Sequence, residues 1–190
     1  SSERLDRIDS YLNKVIEQNQ IPGAVVLIRR NDKTLYNKAF GYSDVENQIK
    51  YSTDDIFRIA SMTKAITSLA VLMLWEEGKF NLDDPIENYI PEFKNLKILT
   101  DFNQKDSSYS SKPAKKKITI RHLLTHTSGI GYGVIDSDPR FNAIYNNHGI
   151  IDLYTTDSIC IKSNIQKLAQ LPLHHEPGED FTYSEGLDVL

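Results

Sequence analysis

Apolar and polar residues recur along the chain with two different periods, and these periods predict the first helices and strands. Residues 3–19 have the helical period and are expected to form an amphipathic helix that ends before the sequence IPG at 21–23. The segments AVVLIRR and TLYNKAFGYSD then have the pattern of two strands, which the turn beginning at Asn31-Asp32 would join as a hairpin. The apolar positions of the first helix are Leu5, Ile8, Leu12, Val15 and Ile16.

The segment FRIASMTKAITSLAVLMLWEEGK, residues 57–79, predicts a second helix. It is apolar nearly all round, which is typical of a buried helix, and Gly78 is a natural stop for it. Asp84 as N-cap and Pro85 at the first helical position predict a short helix after it. The tract 100–117 predicts a long polar loop. Helical patterns return in ITIRHLLTHTSGI and at 162–171.

The single predicted hairpin indicates that the fold extends beyond this chain. Two strands alone are marginally stable and need further strands or a packed helix. The sequence reaches LDVL, at residues 187–190, without a stop signal. We therefore expect residues 1–190 to be the N-terminal portion of one larger domain, with a helix and hairpin in 1–50 and mainly helices in 51–190.

Composition and charge narrow the classes of partner. The chain has 190 residues, of which 39% are hydrophobic and 25% charged, and its net charge of −4 is spread over interspersed residues. No nucleic-acid partner is expected, and the basic run at 115–117 is interpreted as a solvated loop. The longest apolar run, 69–75, is too short to span a membrane. The polar start fits a mature protein whose leader has been removed. The sequence therefore does not decide the cellular compartment, and a periplasmic or secreted location is compatible with it.

Ser61 and Lys64 are three residues apart at the start of the second helix and would share one face of it. In a buried helix, lost hydration would lower the pKa of the lysine and let its amine accept the serine proton. The helix N-terminus adds free N–H groups where an oxyanion would form. The alternative is a lysine that reaches solvent, with Ser61 only as an N-cap.

Several stretches in matching order resemble the serine β-lactamase and penicillin-binding-protein superfamily, in its class C-like branch and closest to family VIII carboxylesterases. They are IPGAVVLI, FRIASMTKAIT, GKFNLDDPIENYIPEF, ITIRHLLTHTSGI and LPLHHEPGEDFTYSEGLDVL. The resemblance implies an α+β fold, with an antiparallel sheet flanked by helices and a mostly helical region. It also implies that Ser61 is the nucleophile, Lys64 its proton acceptor, and Tyr183 the base that works with the lysine.

The sequence departs from the β-lactamase pattern at one position. Tyr-x-Asn is usual there, whereas this chain has Tyr183-Ser184-Glu185, within the esterase-like pattern YSxxxDVL. Glu185 therefore stands where a substrate-binding asparagine would be, which favours esters over β-lactams. The family's third motif, on a late strand, has no match here, and a missing C-terminal segment or a second chain would complete the sheet.

The sequence therefore predicts a serine hydrolase that forms an acyl-enzyme on a small-molecule ester or amide, with no metal or organic cofactor. The alternatives are a β-lactamase or D-aminopeptidase/DD-peptidase, and a non-catalytic sensor or scaffold domain of the same fold. His126 lacks identifiable triad partners, and the adjacent His174-His175 lack regular zinc-ligand spacing. GIGYG at 129–133 lacks the preceding strand of a dinucleotide site and is interpreted as a flexible loop that rims the substrate cleft.

Overall fold

The computed structural model describes residues 2–190, which divide after Arg58 into two compact units, the second of them spanning 59–190. Together they contain antiparallel sheets and helices, so the expected α+β class is confirmed. No helix within residues 2–190 combines the length and apolar composition that crossing a bilayer requires.

The first unit consists of one helix and a three-stranded antiparallel sheet in the order β1-β2-β3. The predicted helix and hairpin are both present, and β3 is an addition to them. Leu12 and Val15 are the buried residues of the helix. The helix also bonds to the sheet, because Asp9 accepts hydrogen bonds from Tyr36 and Lys38 of β2. The elements are α1 (Ser2–Glu17), β1 (Gly23–Arg30), β2 (Lys33–Asp44) and β3 (Ile49–Lys50).

The second unit begins with a 3₁₀ turn, Ala60–Met62, that leads directly into α2 (Thr63–Glu76). Gly78 follows in the left-handed conformation, φ +70°, as a helix-ending glycine does. The prediction that this helix is buried is wrong for most of its surface. Only Val71 is buried, while Ile66, Leu69 and Met73 are exposed. Residues 2–190 therefore leave much of the apolar surface of α2 exposed.

The polar tract after α2 is the second correction. Residues 100–117 are not one long loop, because β4 (Lys97–Phe102) and β5 (Tyr109–Pro113) pair as an antiparallel hairpin. The alternation is hidden because one side of this hairpin faces solvent and its residues are Lys, Ser, Thr and Asp. The predicted short helix after Pro85 is instead two 3₁₀ turns, Ile86–Asn88 and Pro91–Asn95. Asp84 does not cap either turn and accepts hydrogen bonds from Asn81 and Tyr89.

The remaining helices surround one hydrophobic core. They are α3 (Ile120–Leu124), α4 (Pro139–Asn147), α5 (Ile161–Leu168) and α6 (Gly186–Val189), of which α4 and α6 were not predicted from the sequence. Thr119 begins α3 with a capping box in which its side chain accepts from His122 N–H and the His122 ring accepts from Thr119 N–H. Phe93, Leu123 and Phe141 are fully buried at the centre of the core. The loop between α3 and α4 and the segment before α6 adjoin this core. They carry two tyrosines, Tyr132 and Tyr183, that lie beside the start of α2.

Candidate active site

Ser61 lies in the 3₁₀ turn that precedes α2, and Lys64 lies in the first turn of α2 itself. The residue before the serine, Ala60, has a left-handed backbone with φ +45°. That conformation is unfavourable for a residue with a Cβ, and such strain is concentrated at functional sites. The turn leaves Ser61 exposed rather than packed into the core.

Tyr183 reaches Ser61 from the segment that leads into α6. Its hydroxyl lies 2.7 Å from Ser61 Oγ and donates a hydrogen bond to it. The three residues predicted from the sequence therefore meet, because Lys64 Nζ lies 5.1 Å from the centroid of the Tyr183 ring. An ammonium over an aromatic face is attracted by the ring quadrupole.

Tyr132 is the site residue that the sequence analysis missed. Lys64 Nζ donates a 2.7 Å hydrogen bond to its hydroxyl, and its ring stacks on that of Tyr183 with centroids 5.6 Å apart. Tyr132 belongs to the loop 129–133, which was predicted to be flexible and to rim the cleft. A lone tyrosine between two glycines was the available signal, since glycines allow the backbone to approach other groups closely.

Two aspartates hold the loop that presents Tyr132. Asp152 accepts hydrogen bonds from the N–H groups of Gly133 and Val134, at 2.6 and 2.9 Å. Asp136 accepts from Tyr132 N–H at 3.2 Å. At Gly131 an added Cβ would displace the side chains of Asp136 and His174, so the glycine keeps this aspartate in place beneath the loop. The loop is therefore fixed by backbone hydrogen bonds.

The structure contradicts the predicted direction of the Lys64 pKa. Partial burial lowers it, as expected, but the hydrogen bonds and charge interactions with Tyr132 and Tyr183 outweigh burial and raise the pKa above its ordinary value. Lys64 is thus a cation at neutral pH. Burial also raises the pKa of Tyr132, against the opposing effect of the lysine.

The histidines have supporting positions. His126 Nδ1 accepts a 3.2 Å hydrogen bond from Ser184 N–H, and its ring packs at 4.7 Å from Tyr183, so it fixes the segment that carries this tyrosine. Burial and the charge of Lys64 lower its pKa. His174 is stacked on Phe141 with Nε2 2.9 Å from Asp136 Oδ2. Within residues 2–190, no group of three or more His, Cys, Asp or Glu side chains could hold a metal ion.

Glu185 is buried next to this site, with 3% of its surface exposed. Among residues 2–190 its Oε1 atom has no hydrogen-bond partner. Burial, and then the charges of Asp152 and Asp188, raise the pKa of its carboxyl to about 8 against the opposing effect of Lys64. Sequence reasoning had singled out the position but could not reveal that one oxygen of this buried carboxyl lacks a partner.

Comparisons with known proteins show which family the chain resembles in sequence and fold. The Beta-lactamase family model matches residues 8–190. Esterase EstB of Burkholderia gladioli is 35% identical over 97% of this chain, which covers 43% of that protein. The solved structure of EstCE1, a hydrolase with promiscuous acyltransferase activity, is 31% identical with a TM-score of 0.79 over 97% of this chain and 44% of its own. Simvastatin synthase (LovD) of Aspergillus terreus is 28% identical with a TM-score of 0.74, over 97% of this chain and 44% of its own.

The fold and the cluster of serine, lysine and tyrosines define a chain of the serine β-lactamase and penicillin-binding-protein superfamily. The chain belongs to the Beta-lactamase family. It spans less than half the length of these relatives.

The raised pKa of Glu185 predicts a pH-dependent loss of stability. In the unfolded chain this carboxyl ionises near its ordinary pKa of 4.5, whereas in the folded chain it holds its proton to about pH 8. The contribution of this carboxyl to the free energy of unfolding is therefore present below pH 4.5 and is lost progressively as the pH rises through 8. The Glu185→Gln variant lacks this group, so the difference in Tm between variant and wild type should widen in the variant's favour from pH 5 to pH 8.

Thermal unfolding followed by circular dichroism at each pH measures this difference. The control is Glu179→Gln, whose carboxyl lies on the surface beside Lys116. It should leave the pH dependence of Tm unchanged. A Tm difference for Glu185→Gln that stays constant over the range would mean that Glu185 is ionised in the folded protein.

Proposed function

We propose that the protein is a serine hydrolase that forms an acyl-enzyme on Ser61 and acts on carboxylic esters. The observation that carries this proposal is the 2.7 Å contact between the hydroxyls of Tyr183 and Ser61 beside the Lys64 ammonium. A serine needs a base within hydrogen-bond reach to become a nucleophile. Tyr183 meets that requirement, and Lys64 stabilises negative charge on its oxygen.

In the proposed mechanism Lys64 and Tyr183 share one proton. In the state that reacts, Lys64 holds this proton as an ammonium and Tyr183 is a phenolate. The hydrogen bond with Ser61 then runs opposite to the one in the structure, so that Ser61 donates and the Tyr183 oxygen accepts its proton while Oγ attacks the ester carbonyl. Tyr183 then gives that proton to the departing alkoxide, and water releases the acyl group by the same steps in reverse. The Ser61 N–H lies at the start of the turn leading into α2, where helix-terminal donors stabilise a developing oxyanion.

Tyr132 is proposed to position Lys64 rather than to take part in proton transfer. It accepts from Lys64 Nζ at 2.7 Å and stacks on Tyr183, so it holds the ammonium against the second ring. Our sequence-based hypothesis made the lysine the direct proton acceptor of Ser61. The upward shift of the Lys64 pKa supports the revised assignment, with Tyr183 as acceptor and Lys64 as its electrostatic partner.

We also propose that polypeptide outside residues 2–190 covers the apolar side chains of α2. Ile66, Leu69 and Met73 are each more than half exposed, and burying such side chains is worth about 1.5–3 kcal/mol apiece. A further segment of the same protein or a second chain would provide this cover. Activity is therefore best measured on the protein at its full native length.

The substrate preference is tested by comparing an ester with a β-lactam. Short-chain 4-nitrophenyl esters should give a much higher kcat/KM than a chromogenic cephalosporin, because Glu185 replaces the asparagine of the lactamase-like pattern. Rates with Ser61→Ala supply the background for both substrates. A higher kcat/KM for the cephalosporin would assign the protein to the β-lactamases, and no turnover of either would favour the sensor or scaffold alternative.

Removing either Lys64 or Tyr183 should lower kcat nearly as much as removing both, because the effects of mutating residues that act as a unit are not additive. Lys64→Ala and Tyr183→Phe are each expected to lower kcat for the ester by at least about a hundredfold, the low end for losing positioned acid–base catalysis. The double variant should be little worse than either single one.

Tyr89→Phe is the matched control, since this tyrosine is half exposed and its hydroxyl donates to Asp84, away from the proposed site. It should keep wild-type kcat, and circular dichroism should show that every variant folds. Strictly additive losses would mean that Lys64 and Tyr183 act independently. A folded Tyr183→Phe with near-normal kcat would remove this tyrosine from the mechanism.

A further inference from the structure

A cavity of about 370 Å³ opens beside the proposed nucleophile, within the unit 59–190. Ser61, Lys64 and Tyr132 line it, whereas Tyr183 does not. Because Tyr183 is the proposed donor to the departing alkoxide, the leaving group is placed next to Tyr183 and outside the cavity. The cavity is then the place for the acyl group. Most of its wall is apolar, formed by Ile151, Leu153, Ile159, Ile161, Ile165 and Leu187.

Three carboxyl side chains also line the cavity, and they differ in their partners. Asp152 accepts the two N–H groups of the loop that carries Tyr132. Asp188 is exposed and interacts with the charge of Lys64, which partly offsets the rise that desolvation causes in its pKa. Glu185 is almost fully buried, and its Oε1 atom has no partner within residues 2–190. A buried carboxylate oxygen without a partner is costly, so Oε1 of Glu185 needs either a proton or a ligand.

The charges around Glu185 favour the proton. Asp152 and Asp188 both oppose ionisation of Glu185, and Lys64 is the cation that counters them. The remaining titratable neighbour, Tyr145, is fully buried, and burial holds its pKa above the ordinary value. With a pKa of about 8, Glu185 is a neutral acid at pH 7 and carries one O–H donor in the wall of the cavity.

We propose that the Glu185 carboxylic acid donates a hydrogen bond to an oxygen atom in the acyl group of the substrate, so that the cavity selects uncharged acyl chains with an ether or carbonyl oxygen over plain alkyl chains. This inference rests on the proposed esterase function and names its substrate class. Glu185 is then a specificity-determining residue that takes no part in proton transfer with Ser61.

Matched pairs of 4-nitrophenyl esters test the inference on the full-length protein. Each pair has equal chain length, and one member has an ether oxygen in place of a CH₂, at successive positions along the series. Each kcat/KM is divided by the rate of buffer hydrolysis to remove intrinsic reactivity. For at least one position the wild type should prefer the ether ester by about five- to tenfold, the usual effect of one net hydrogen bond.

Two variants separate donation from packing. Glu185→Gln keeps an N–H donor and should keep the preference, whereas Glu185→Leu should abolish it while still hydrolysing the alkyl esters. In the wild type the preference should decline as the pH rises through about 8, because the donor proton is lost. In Glu185→Gln it should be independent of pH. If Glu185→Leu does not fold, this pH comparison carries the test, with Glu179→Gln as the surface control.

Three outcomes would overturn the inference. Ether and alkyl esters could be hydrolysed alike by the wild type at every position. The wild type could instead prefer amine-bearing acyl chains and lose that preference in Glu185→Gln, which would make the cavity a cation site. A ¹³C spectrum of glutamate-labelled protein, compared with Glu185→Gln, could show Glu185 ionised at pH 6. That spectrum needs no turnover, so it tests Glu185 even where failure of all ester hydrolysis would reject the proposed function itself.

Discussion

The arrangement of the candidate site depends on one cation, the ammonium of Lys64, held between two tyrosines. It donates to the Tyr132 hydroxyl at 2.7 Å and lies about equally far from both rings, 5.4 Å from Tyr132 and 5.1 Å from Tyr183. A lysine that is only partly buried keeps its charge when polar partners compensate for lost water. Here they more than compensate, and its pKa rises. The charge is thus a fixed feature around which the tyrosines and Ser61 are arranged.

Holding that cation in place requires structure well beyond the helix that carries it. Tyr132 is presented by a loop whose N–H groups bond to Asp136 and Asp152, and Tyr183 by a segment bonded to His126. Backbone hydrogen bonds to carboxylates are stronger than neutral ones, so they suit a loop that must hold one hydroxyl in register. The hydrophobic core behind α3 and α4 anchors both segments. Fold and site are therefore linked through a small number of polar contacts at the edge of the core.

Local spacing singled out Ser61 and Lys64 but left a structural alternative open, and the family resemblance added Tyr183. The structure brings the three side chains together, and their catalytic roles stay predictions. Tyr132 and Asp152 were not found, since their roles come from contacts across 68 and 19 positions of the chain that no local period records. The β4–β5 hairpin was missed for a different reason. Its solvent-facing residues are so polar that the alternation is obscured. The burial of α2 was overestimated because an apolar sequence indicates that a helix can be buried. It does not show whether residues 2–190 contain the elements that bury it.

The central claim is that Ser61 is the activated nucleophile, and covalent labelling tests it most directly. A fluorophosphonate probe reacts with activated serines, so the full-length protein should be labelled, with peptide mapping placing the adduct on Ser61. Ser61→Ala should abolish labelling, while Ser163→Ala, a serine bonded to the Cys160 carbonyl, should leave it intact. An adduct that maps to another serine, or labelling that persists in folded Ser61→Ala, would contradict the account.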